Sequence, residues 1–297
     1  MPHERLLSVQ NLTVQYKIEG NLVAVVDRVS FYIEPGEIVA LVGESGCGKT
    51  QVALTLAGLL PKTAFVKQTS TGTPQTAMIF QDPLNALNPV IKVGKQIFEG
   101  IRKKERRKKE EVVSLLDSVG IDEPEKRYDQ YPHEFSGGMR QRALIAMALA
   151  REPELLIADE PTTALDVTIQ AQIINLLKAL HKEKGLSILF ISHDLSLVKS
   201  FAQRTMVMYA GRIVESAPTD VLFKTPKHPY TKALMQVASL AKDKNNFITI
   251  DGSVPDPRDY PSGCPFHPRC GVAEDVCSRE FPELITDQDH NWNCIHK

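Results

Sequence analysis

Short apolar runs punctuate this chain, and longer segments of mixed apolar and polar residues separate them. Residues 38–42, 155–158 and 188–191 are the clearest runs, and each has the length of a buried strand. Good helix formers follow the first run at residues 51–57, and an apolar-periodic helix that begins near residue 136 precedes the second. Buried strands that alternate with helices are typical of a parallel sheet, so the pattern predicts an α/β fold.

Other patterns predict antiparallel pieces around this core. Residues 5–35 indicate short strands that turn back at Glu19-Gly20-Asn21. A last core strand is expected at residues 205–209, with a hairpin return through residues 211–215. Residues 61–76 are polar, with Thr and Ser dominating their second half, and this composition predicts an exposed loop.

A strongly charged run, RKKERRKKEE, occupies residues 102–111. It predicts a solvated helix face on which Glu105 pairs with Lys109. Contact with anionic lipid head groups is the alternative interpretation of so many neighbouring cations.

The sequence GESGCGKT at residues 43–50 fits the phosphate-binding pattern G-x-x-x-x-G-K-S/T at every fixed position. It joins an apolar strand to a helix, which is the context that the motif requires. Its glycines let backbone N–H groups point at phosphate oxygens, and the helix N-terminus adds partial positive charge. Lys49 is expected to reach the β- and γ-phosphates, and the Thr50 hydroxyl to ligate Mg²⁺. A plain glycine-rich turn before a helix is the weaker alternative.

Asp159 and Glu160 follow the apolar run at residues 155–158. An acidic pair at the carboxyl end of a parallel strand lies where open α/β sheets bind ligands. Asp159 would hold Mg²⁺, directly or through water, and Glu160 would polarise the water that attacks the γ-phosphate. Alone, such a pair would be interpreted as a helix N-terminus, but the phosphate loop favours the catalytic interpretation.

Ser136-Gly137-Gly138 begins a second helix that is suited to anions. Serine is a good N-cap, and paired glycines allow the backbone to approach an anion closely. One nucleotide does not need two helix N-termini from distant segments of one chain. Two copies facing head to tail would use both, with one chain's phosphate loop and its partner's serine–glycine turn around each ATP.

These motifs, and their order along the chain, resemble those of the ATP-binding subunit of an ATP-binding cassette (ABC) transporter. In that family GESGCGKT is the Walker A loop, and Asp159 and Glu160 are Walker B and the catalytic carboxylate. FSGGM is the signature, with Phe135 and Met139 in place of the commoner Leu and Gln. The resemblance covers the first two-thirds of the chain. It implies a P-loop ATPase core of parallel sheet flanked by helices, an antiparallel β subdomain, and a helical subdomain at about residues 82–150.

The resemblance assigns roles to residues outside these motifs as well. Tyr16 matches an aromatic that stacks on adenine, and Gln81 matches the Q-loop glutamine that touches Mg²⁺ and water. Asp166, in Ala164-Leu165-Asp166, matches the D-loop, and His193, in FISHDL, matches the switch histidine at the γ-phosphate.

The sets that the resemblance implies are as follows. The ATP-binding set is Tyr16, Gly43, Glu44, Ser45, Gly46, Cys47, Gly48, Lys49, Thr50 and Gln51. The magnesium ligands are Thr50, Gln81 and Asp159. The residues that contact ATP on the partner chain are Ser136, Gly137, Gly138 and Met139.

Composition narrows the class of function. With 297 residues the chain is long enough for more than one domain. Its net charge of −1 gives it no excess of positive charge, so its composition does not indicate nucleic-acid binding. No apolar run reaches the roughly 18–20 residues that span a bilayer. Met1-Pro2-His3-Glu4-Arg5 also lacks the layout of a signal peptide. We therefore expect a soluble chain whose membrane-spanning partners are other polypeptides.

The sequence after the core resembles one branch of the family. KTPKHPYTKALM at residues 224–235 resembles the segment that follows the ATPase core in peptide and nickel importers, and FQDPLNALNP at residues 80–89 matches their Q-loop. The resemblance thus divides the chain into an ABC ATPase domain at residues 1–222 and a C-terminal oligopeptide-transporter extension at residues 223–297.

The extension contains four cysteines, Cys264, Cys270, Cys277 and Cys294. Some peptide-importer ATPases end in a similar set that holds an iron–sulfur cluster, and four thiolates are the right number for a 4Fe–4S centre. Zinc is an alternative because His267, His290 and His296 lie nearby, although the tight C-x₂₋₄-C knuckle is absent. Disulfides, which a cytosolic protein disfavours, and unmetallated thiols are the remaining alternatives.

The fifth cysteine, Cys47, lies inside the phosphate loop, at a helix N-terminus beside Lys49. Both surroundings lower a thiol pKa, so we expect Cys47 to be reactive and bound ATP to protect it. The alternative is an inert side chain that fills space.

By resemblance, the chain is expected to hydrolyse ATP to ADP and phosphate and to power the import of di- or oligopeptides. Its expected partners are a second ABC ATPase subunit, identical or homologous, two transmembrane permease subunits and an extracellular substrate-binding protein. Its expected place is the cytoplasmic face of a bacterial or archaeal cell membrane. A nickel or metal-chelate importer is one alternative, and a non-transport ABC ATPase in a soluble complex is the other.

Overall fold

The computed structural model describes residues 5–82, 86–102, 108–163, 165–240 and 250–296. They form two compact units, one made of residues up to Thr73 together with residues from Phe190 onward, and the other of Pro74–Leu189. Glu105, which was predicted to pair with Lys109, and Ala164 of the D-loop lie outside the described residues.

An antiparallel sheet opens the first unit. Strands β1 (Leu7–Ile18) and β2 (Asn21–Ile33) form a hairpin that turns at Glu19-Gly20, as predicted, but they are 12 and 13 residues long rather than short. Gly20 has φ +87°, which glycine adopts without strain. Buried side chains alternate at Val29, Phe31 and Ile33 of β2, but β-bulges interrupt the alternation in β1.

Strand β4 (Ala64–Thr71) completes this sheet beside β1, in the order β2-β1-β4. The prediction of a loop in this segment was wrong. The strand pairs antiparallel with β1, from Ala64 opposite Tyr16 to Thr71 opposite Ser8. Its side chains are exposed almost throughout, as expected, so no burial pattern marks it as a strand. Backbone hydrogen bonds to β1 and the extended preference of its β-branched residues hold it at the sheet edge.

A second sheet forms the core of the first unit. Strand β3 (Ile38–Val42) lies parallel to β8 (Arg204–Tyr209), and both are buried along their whole length. Strand β9 (Arg212–Pro218) runs antiparallel to β8, which confirms the predicted hairpin return. Beyond β9 lie two three-residue strands of the C-terminal segment, β10 (Ile285–Asp287) and β11 (His290–Trp292). Sequence analysis did not anticipate these two strands, because three residues are too few to show a period.

The described residues of the first unit form four α-helices. They are α1 (Lys49–Leu56), α7 (Leu195–Phe201), α8 (Thr219–Lys224) and α9 (Pro229–Leu240). Helix α1 follows β3 through the phosphate loop, so the strand–loop–helix prediction is confirmed. Helix α9 carries the PYTKALM segment of the C-terminal extension.

The second unit combines two parallel strands with helices. Strand β5 (Thr76–Ile79) pairs with β6 (Leu155–Asp159), which confirms the buried strand before the acidic pair. The helices are α2 (Val93–Gly100), α3 (Lys109–Ser118), α4 (Pro124–Tyr128), α5 (Gly137–Leu149) and α6 (Val167–Lys184). Strand β7 (Ser187–Ile191) is buried, as predicted, and the boundary between the two units falls within it.

Helices α2 and α4 approach each other closely at Gly94. A Cβ atom there would lie 2.3 Å from the Tyr128 ring, so a larger residue would push the helices apart. Nearby, Asp129 accepts hydrogen bonds from Lys92 at 3.1 Å and Lys109 at 3.0 Å, and these bonds hold the pKa of its carboxyl below the usual value. Lys109 lies near the end of the charged run and is exposed, in agreement with a solvated face. In the part of the chain that the structure describes, no helix is long and apolar enough to cross a membrane.

Candidate nucleotide site and cysteine segment

Close backbone packing and positive φ angles shape the phosphate loop. Gly43, Gly46 and Gly48 have φ angles of +154°, +80° and +108°, which only glycine adopts readily. A Cβ atom on Gly43 would lie 2.2 Å from the carbonyl oxygen of Met208, and one on Gly48 would lie 2.7 Å from that of Val25. The loop therefore needs glycine twice for space as well as for conformation.

Lys49 is buried and folds back onto its own loop. Its Nζ donates hydrogen bonds to the carbonyl oxygens of Gly43 and Glu44, both at 2.9 Å. These two bonds hold the ammonium group against the loop at the start of α1, where the helix dipole also favours an anion. The loop thus has the conformation, the cation and the helix N-terminus that a bound phosphate requires.

Cys47 does not have the lowered pKa that was expected. Its side chain is fully buried, and burial raises the pKa of the thiol by more than the neighbouring Lys49 lowers it. The charge of Lys49 follows from the sequence, but the desolvation that outweighs it depends on tertiary packing. The structure therefore supports the alternative of an inert, space-filling side chain.

Tyr16 lies on β1, beside the helix that follows the phosphate loop. Its hydroxyl donates a 2.6 Å hydrogen bond to Oε1 of Gln51, and burial raises the pKa of that hydroxyl. The structure thus brings together two residues of the predicted ATP-binding set that are 35 positions apart in the chain.

His193 follows β7 on an ordered turn and its side chain is exposed. The backbone N–H of Asp194 donates to Oγ of Ser192 at 3.0 Å. The Asp194 carboxylate then caps α7 by accepting from the N–H groups of Ser196 and Leu197. These bonds fix the backbone on both sides of His193.

In the second unit, Glu160 lies at the carboxyl end of β6 with φ +47°, a conformation that non-glycine residues rarely adopt. Its Oε2 accepts hydrogen bonds from Nε2 of Gln81 and from Oγ1 of Thr163, both at 2.9 Å. Asp159 is buried beside it at the end of the strand. Sequence analysis missed Thr163, whose spacing of three residues from Glu160 within a turn is the signal that could have indicated it.

Ser136 caps α5 as predicted. Its Oγ accepts a 3.3 Å hydrogen bond from the N–H of Met139, and both Ser136 and Gly137 are exposed. Gly138 packs against α6, since a Cβ atom there would lie 3.0 Å from Ile169. Asp166 caps α6 by accepting from the N–H of Ile169 at 3.0 Å. The signature turn therefore presents a helix N-terminus to solvent, and its predicted contact with a partner's ATP stays a prediction.

A buried carboxylate anchors the C-terminal extension to β9. Glu215 has no exposed side-chain surface. It accepts hydrogen bonds from the N–H groups of Lys227 at 2.7 Å and His228 at 2.8 Å, and its Oε1 lies 2.7 Å from Nε2 of His290. The same burial lowers the pKa of His228 to about 3, so that imidazole is neutral at physiological pH. Sequence analysis did not identify Glu215.

The four cysteines of the extension line one small cavity. Burial raises the pKa of the Cys264 thiol to about 11, and the other three cysteines add to the rise. All five cysteines of the chain are free. Among the described residues, no group of three or more His, Cys, Asp or Glu side chains has the geometry of a metal site. The four thiols are thus neighbours around one cavity, without the spacing that a single metal ion requires.

The fold and the phosphate loop define a nucleotide-binding ATPase. Residues 26–163 match the ABC transporter family, and residues 214–277 match the oligopeptide/dipeptide transporter C-terminal region. The chain belongs to the ABC transporter ATP-binding proteins that carry this C-terminal region. The predicted family, the fold class and the ATPase activity are confirmed.

Curated relatives match along almost the whole chain. The dipeptide transport ATP-binding protein DppD of Bacillus subtilis is 44% identical over 316 residues, which cover 98% of this chain and 94% of that protein. The oligopeptide transport ATP-binding protein OppD of Mycobacterium tuberculosis is 44% identical over 317 residues, which cover 98% of this chain and 52% of that protein.

A solved structure is also similar. It is the dimeric ATP-binding cassette MJ0796 in a post-hydrolysis state, bound to ADP and phosphate. It is 25% identical, with a TM-score of 0.60, and the match covers 72% of this chain and 98% of that one.

Proposed function

We propose that this chain is the ATP-hydrolysing subunit of an ABC importer for di- or oligopeptides. The observation that carries the proposal is the match to a dipeptide transport ATP-binding protein over 98% of the chain, which extends beyond the ATPase core into the C-terminal region. The ATPase core alone would not distinguish cargo, because many transporters share it.

Within this proposal the first unit binds the nucleotide. The backbone N–H groups of residues 43–50 and the ammonium group of Lys49 bind phosphate oxygens, and Tyr16 stacks on adenine. His193, exposed on its turn, contacts the γ-phosphate. The bonds from Lys49 to the loop carbonyls support this role, because they hold the cation on the phosphate loop.

Glu160 is the proposed catalytic carboxylate. It orients and polarises the attacking water, while Gln81 and Thr163 hold its Oε2 by two hydrogen bonds. The family pattern assigns Mg²⁺ to Thr50, Gln81 and Asp159, and the oxygen donors of these side chains suit that ion. When bound, Mg²⁺ neutralises charge on the phosphates.

The active assembly is proposed to be a dimer, with an identical or homologous ATPase subunit. The exposed N-terminus of α5 at Ser136 supports a contact with the partner's ATP, and the similar cassette is a dimer with bound ADP and phosphate. Two transmembrane permease subunits and an extracellular binding protein would complete the importer. The chain would then lie at the cytoplasmic face of the cell membrane.

Reconstitution tests the cargo. The chain, its partner ATPase and the permease subunits are assembled in liposomes with the cognate binding protein, and ATP hydrolysis is measured with added dipeptides or with Ni²⁺. Stimulation by peptides supports the proposal. Stimulation by Ni²⁺ alone would assign the metal-importer alternative, and failure to associate with any permease would favour a soluble complex.

We also propose that Cys264, Cys270, Cys277 and Cys294 hold a structural 4Fe–4S cluster. Two facts support this proposal over an isolated set of thiols. The four thiols line one cavity. Burial raises the pKa values of Cys264, Cys270 and Cys294, so these three thiols would ionise only next to a cation.

Such a cluster would hold together a segment that carries little regular structure. The regular structure of residues 251–284 consists of short 3₁₀ turns. A centre bound by four thiolates would therefore cross-link and stabilise this segment. ATP hydrolysis has no redox step in which the cluster would take part. Protein purified without oxygen should be brown and contain iron and acid-labile sulfide in equal amounts. Colourless protein with stoichiometric zinc, or with four free thiols and no metal, contradicts the proposal.

A further inference from the structure

The cysteine-bearing segment contacts the phosphate loop through one ion pair. The Arg269 guanidinium donates from Nη1 to Oε1 and from Nη2 to Oε2 of Glu44, both at 3.1 Å. The two residues are 225 positions apart in the chain. Only 7% of the Arg269 side chain and 27% of the Glu44 side chain are exposed. This forked, largely buried pair joins the second residue of the loop to a residue next to Cys270.

Arg269 is itself fixed before it reaches the loop. Its Nε donates to the carbonyl oxygen of Asp251 at 2.7 Å, and its Nη2 donates to that of Ile250 at 3.1 Å. Its Nη1 also donates to the hydroxyl of Tyr209 at 3.2 Å. These bonds leave the guanidinium little freedom. The position of the cysteine-bearing segment therefore constrains the position of the Glu44 carboxylate, to which Arg269 is bonded.

A second contact from the extension reaches the backbone of the same loop residue. The N–H of Glu44 donates a 2.9 Å hydrogen bond to the hydroxyl of Tyr230 on α9. Tyr230 is fully buried, and its ring packs 4.6 Å from that of Tyr209 and 5.3 Å from that of Phe266. The extension therefore holds Glu44 by both its side chain and its main chain.

Glu44, which these contacts hold, is bonded through its carbonyl oxygen to Lys49, the cation of the phosphate loop. Lys49 is anchored by the carbonyl oxygens of Gly43 and Glu44, so a shift of the Glu44 backbone would move both anchors of the ammonium group. We propose that Arg269 is a positioning residue for ATP binding, which holds the phosphate loop in its nucleotide-ready conformation through Glu44. The inference rests on the proposed nucleotide site and goes beyond it, because it gives the C-terminal extension a role in ATP affinity.

Paired variants of the full chain test this role. ATP affinity is measured by equilibrium binding of a fluorescent ATP analogue, and KM and kcat by phosphate release. We expect R269A and E44Q each to weaken ATP binding and raise KM roughly tenfold, with kcat within about twofold of wild type. The double variant should bind ATP no more weakly than either single variant, because both remove the same bond. R269K should recover part of the loss, since lysine keeps the charge but not the fork.

R258A is the matched control. Arg258 lies in the same segment, and its guanidinium bonds to Asp256 in an exposed ion pair rather than to Glu44. It should leave Kd and KM unchanged. An R269A variant with wild-type ATP affinity overturns the inference. So does a double variant whose loss of ATP affinity is the product of the two single losses. An R258A variant that binds ATP as weakly as R269A also overturns it.

E44Q keeps the test decisive if R269A does not fold. The E44Q substitution removes the ion pair from the loop side and leaves the extension unaltered, so wild-type ATP affinity in a folded E44Q variant also overturns the inference. A wild-type chain that binds no ATP would instead contradict the proposed nucleotide site. The two failures are therefore distinguishable.

Discussion

Gln81 donates its side-chain amide to Glu160 across 2.9 Å, and Thr163 donates its hydroxyl to the same carboxylate oxygen at the same distance. These two hydrogen bonds hold the Glu160 carboxylate in one orientation at the end of β6. The positive φ of Glu160 directs its side chain from the end of β6 toward these donors. Such backbone strain is found at functional sites, where the surrounding contacts hold it.

Replacing Glu160 by Gln should stop turnover and spare ATP binding. The amide has nearly the same shape, so phosphate contacts persist, but the negative group that polarises water is lost. We expect phosphate release to fall by roughly 100-fold or more, the range typical of a general base. An ATP-dependent dimer should accumulate and be visible by size exclusion. Lys49→Ala is the comparison, because it should weaken nucleotide binding itself. Normal hydrolysis by the Glu160→Gln variant in the assembled importer would remove Glu160 from this role.

Thr163→Val tests the orientation of the carboxylate. Valine has almost the same shape as threonine and removes one hydrogen bond to a charged acceptor. The free energy of such a bond corresponds to roughly a tenfold change in a rate or equilibrium constant. We expect kcat to fall by about that factor while KM for ATP stays unchanged. Thr162→Val provides a neighbouring control without this bond. Equal kcat values for wild type and Thr163→Val would show that Gln81 alone suffices to hold Glu160.

The phosphate loop and the signature turn were predictable because each depends on a few consecutive residues. The positive φ angles of Gly43 and Gly48, the N-cap at Ser136 and the buried strand before Asp159 all follow from local sequence. Strand β4 was not predictable in this way. Its polar, exposed side chains carry no burial pattern, and only its pairing with β1 makes it a strand.

Contacts between distant segments account for the rest of what sequence analysis missed. Glu44 and Arg269 are joined across 225 positions, and Glu215 and His290 across 75. Neither pair lies within one motif, so nothing in the sequence indicates that its two residues meet. The wrong expectation for Cys47 has the same origin, because its burial comes from packing that the charge pattern around Lys49 does not reveal.

Mixed dimers test the shared nucleotide site. The exposed helix N-terminus at Ser136 is expected to contact the ATP bound to the partner's phosphate loop. In a dimer of one Ser136→Arg chain and one wild-type chain, the site formed by the wild-type loop and the altered turn should lose hydrolysis. The second site keeps an intact turn, so nucleotide trapping in each chain can be scored separately. Full activity of an isolated monomer, independent of protein concentration, would contradict the two-chain site.

Cys47 should resist alkylation in the folded protein. Burial raises the pKa of its thiol above the usual value, so the reactive thiolate is scarce at neutral pH and increases only under alkaline conditions. We expect slow labelling at pH 8 with or without Mg-ATP, and fast labelling after unfolding. Cys47→Ser should remain active, because the loop offers backbone donors at this position. Rapid labelling that ATP suppresses would restore the reactive interpretation.

Glu215 is the residue whose loss should most loosen the C-terminal extension. Its buried carboxylate accepts hydrogen bonds from two backbone N–H groups before α9, and lies 2.7 Å from His290 on β11. Glu215→Ala leaves these buried groups without their acceptor, which costs about 3 kcal/mol or more. We expect a clear drop in the thermal unfolding midpoint and faster proteolysis between residues 224 and 297.

Two comparisons separate anchoring from a general loss of stability. Glu215→Gln keeps an acceptor oxygen and should show a smaller drop than Glu215→Ala. Glu274→Ala removes an exposed carboxylate of the same segment, 3.7 Å from His296, and should leave both measurements unchanged, because exposed ion pairs contribute little. If Glu215→Ala unfolds at the wild-type temperature and the extension stays protected from protease, the packing of α9 and the Tyr209–Tyr230–Phe266 cluster must hold the segment without this carboxylate.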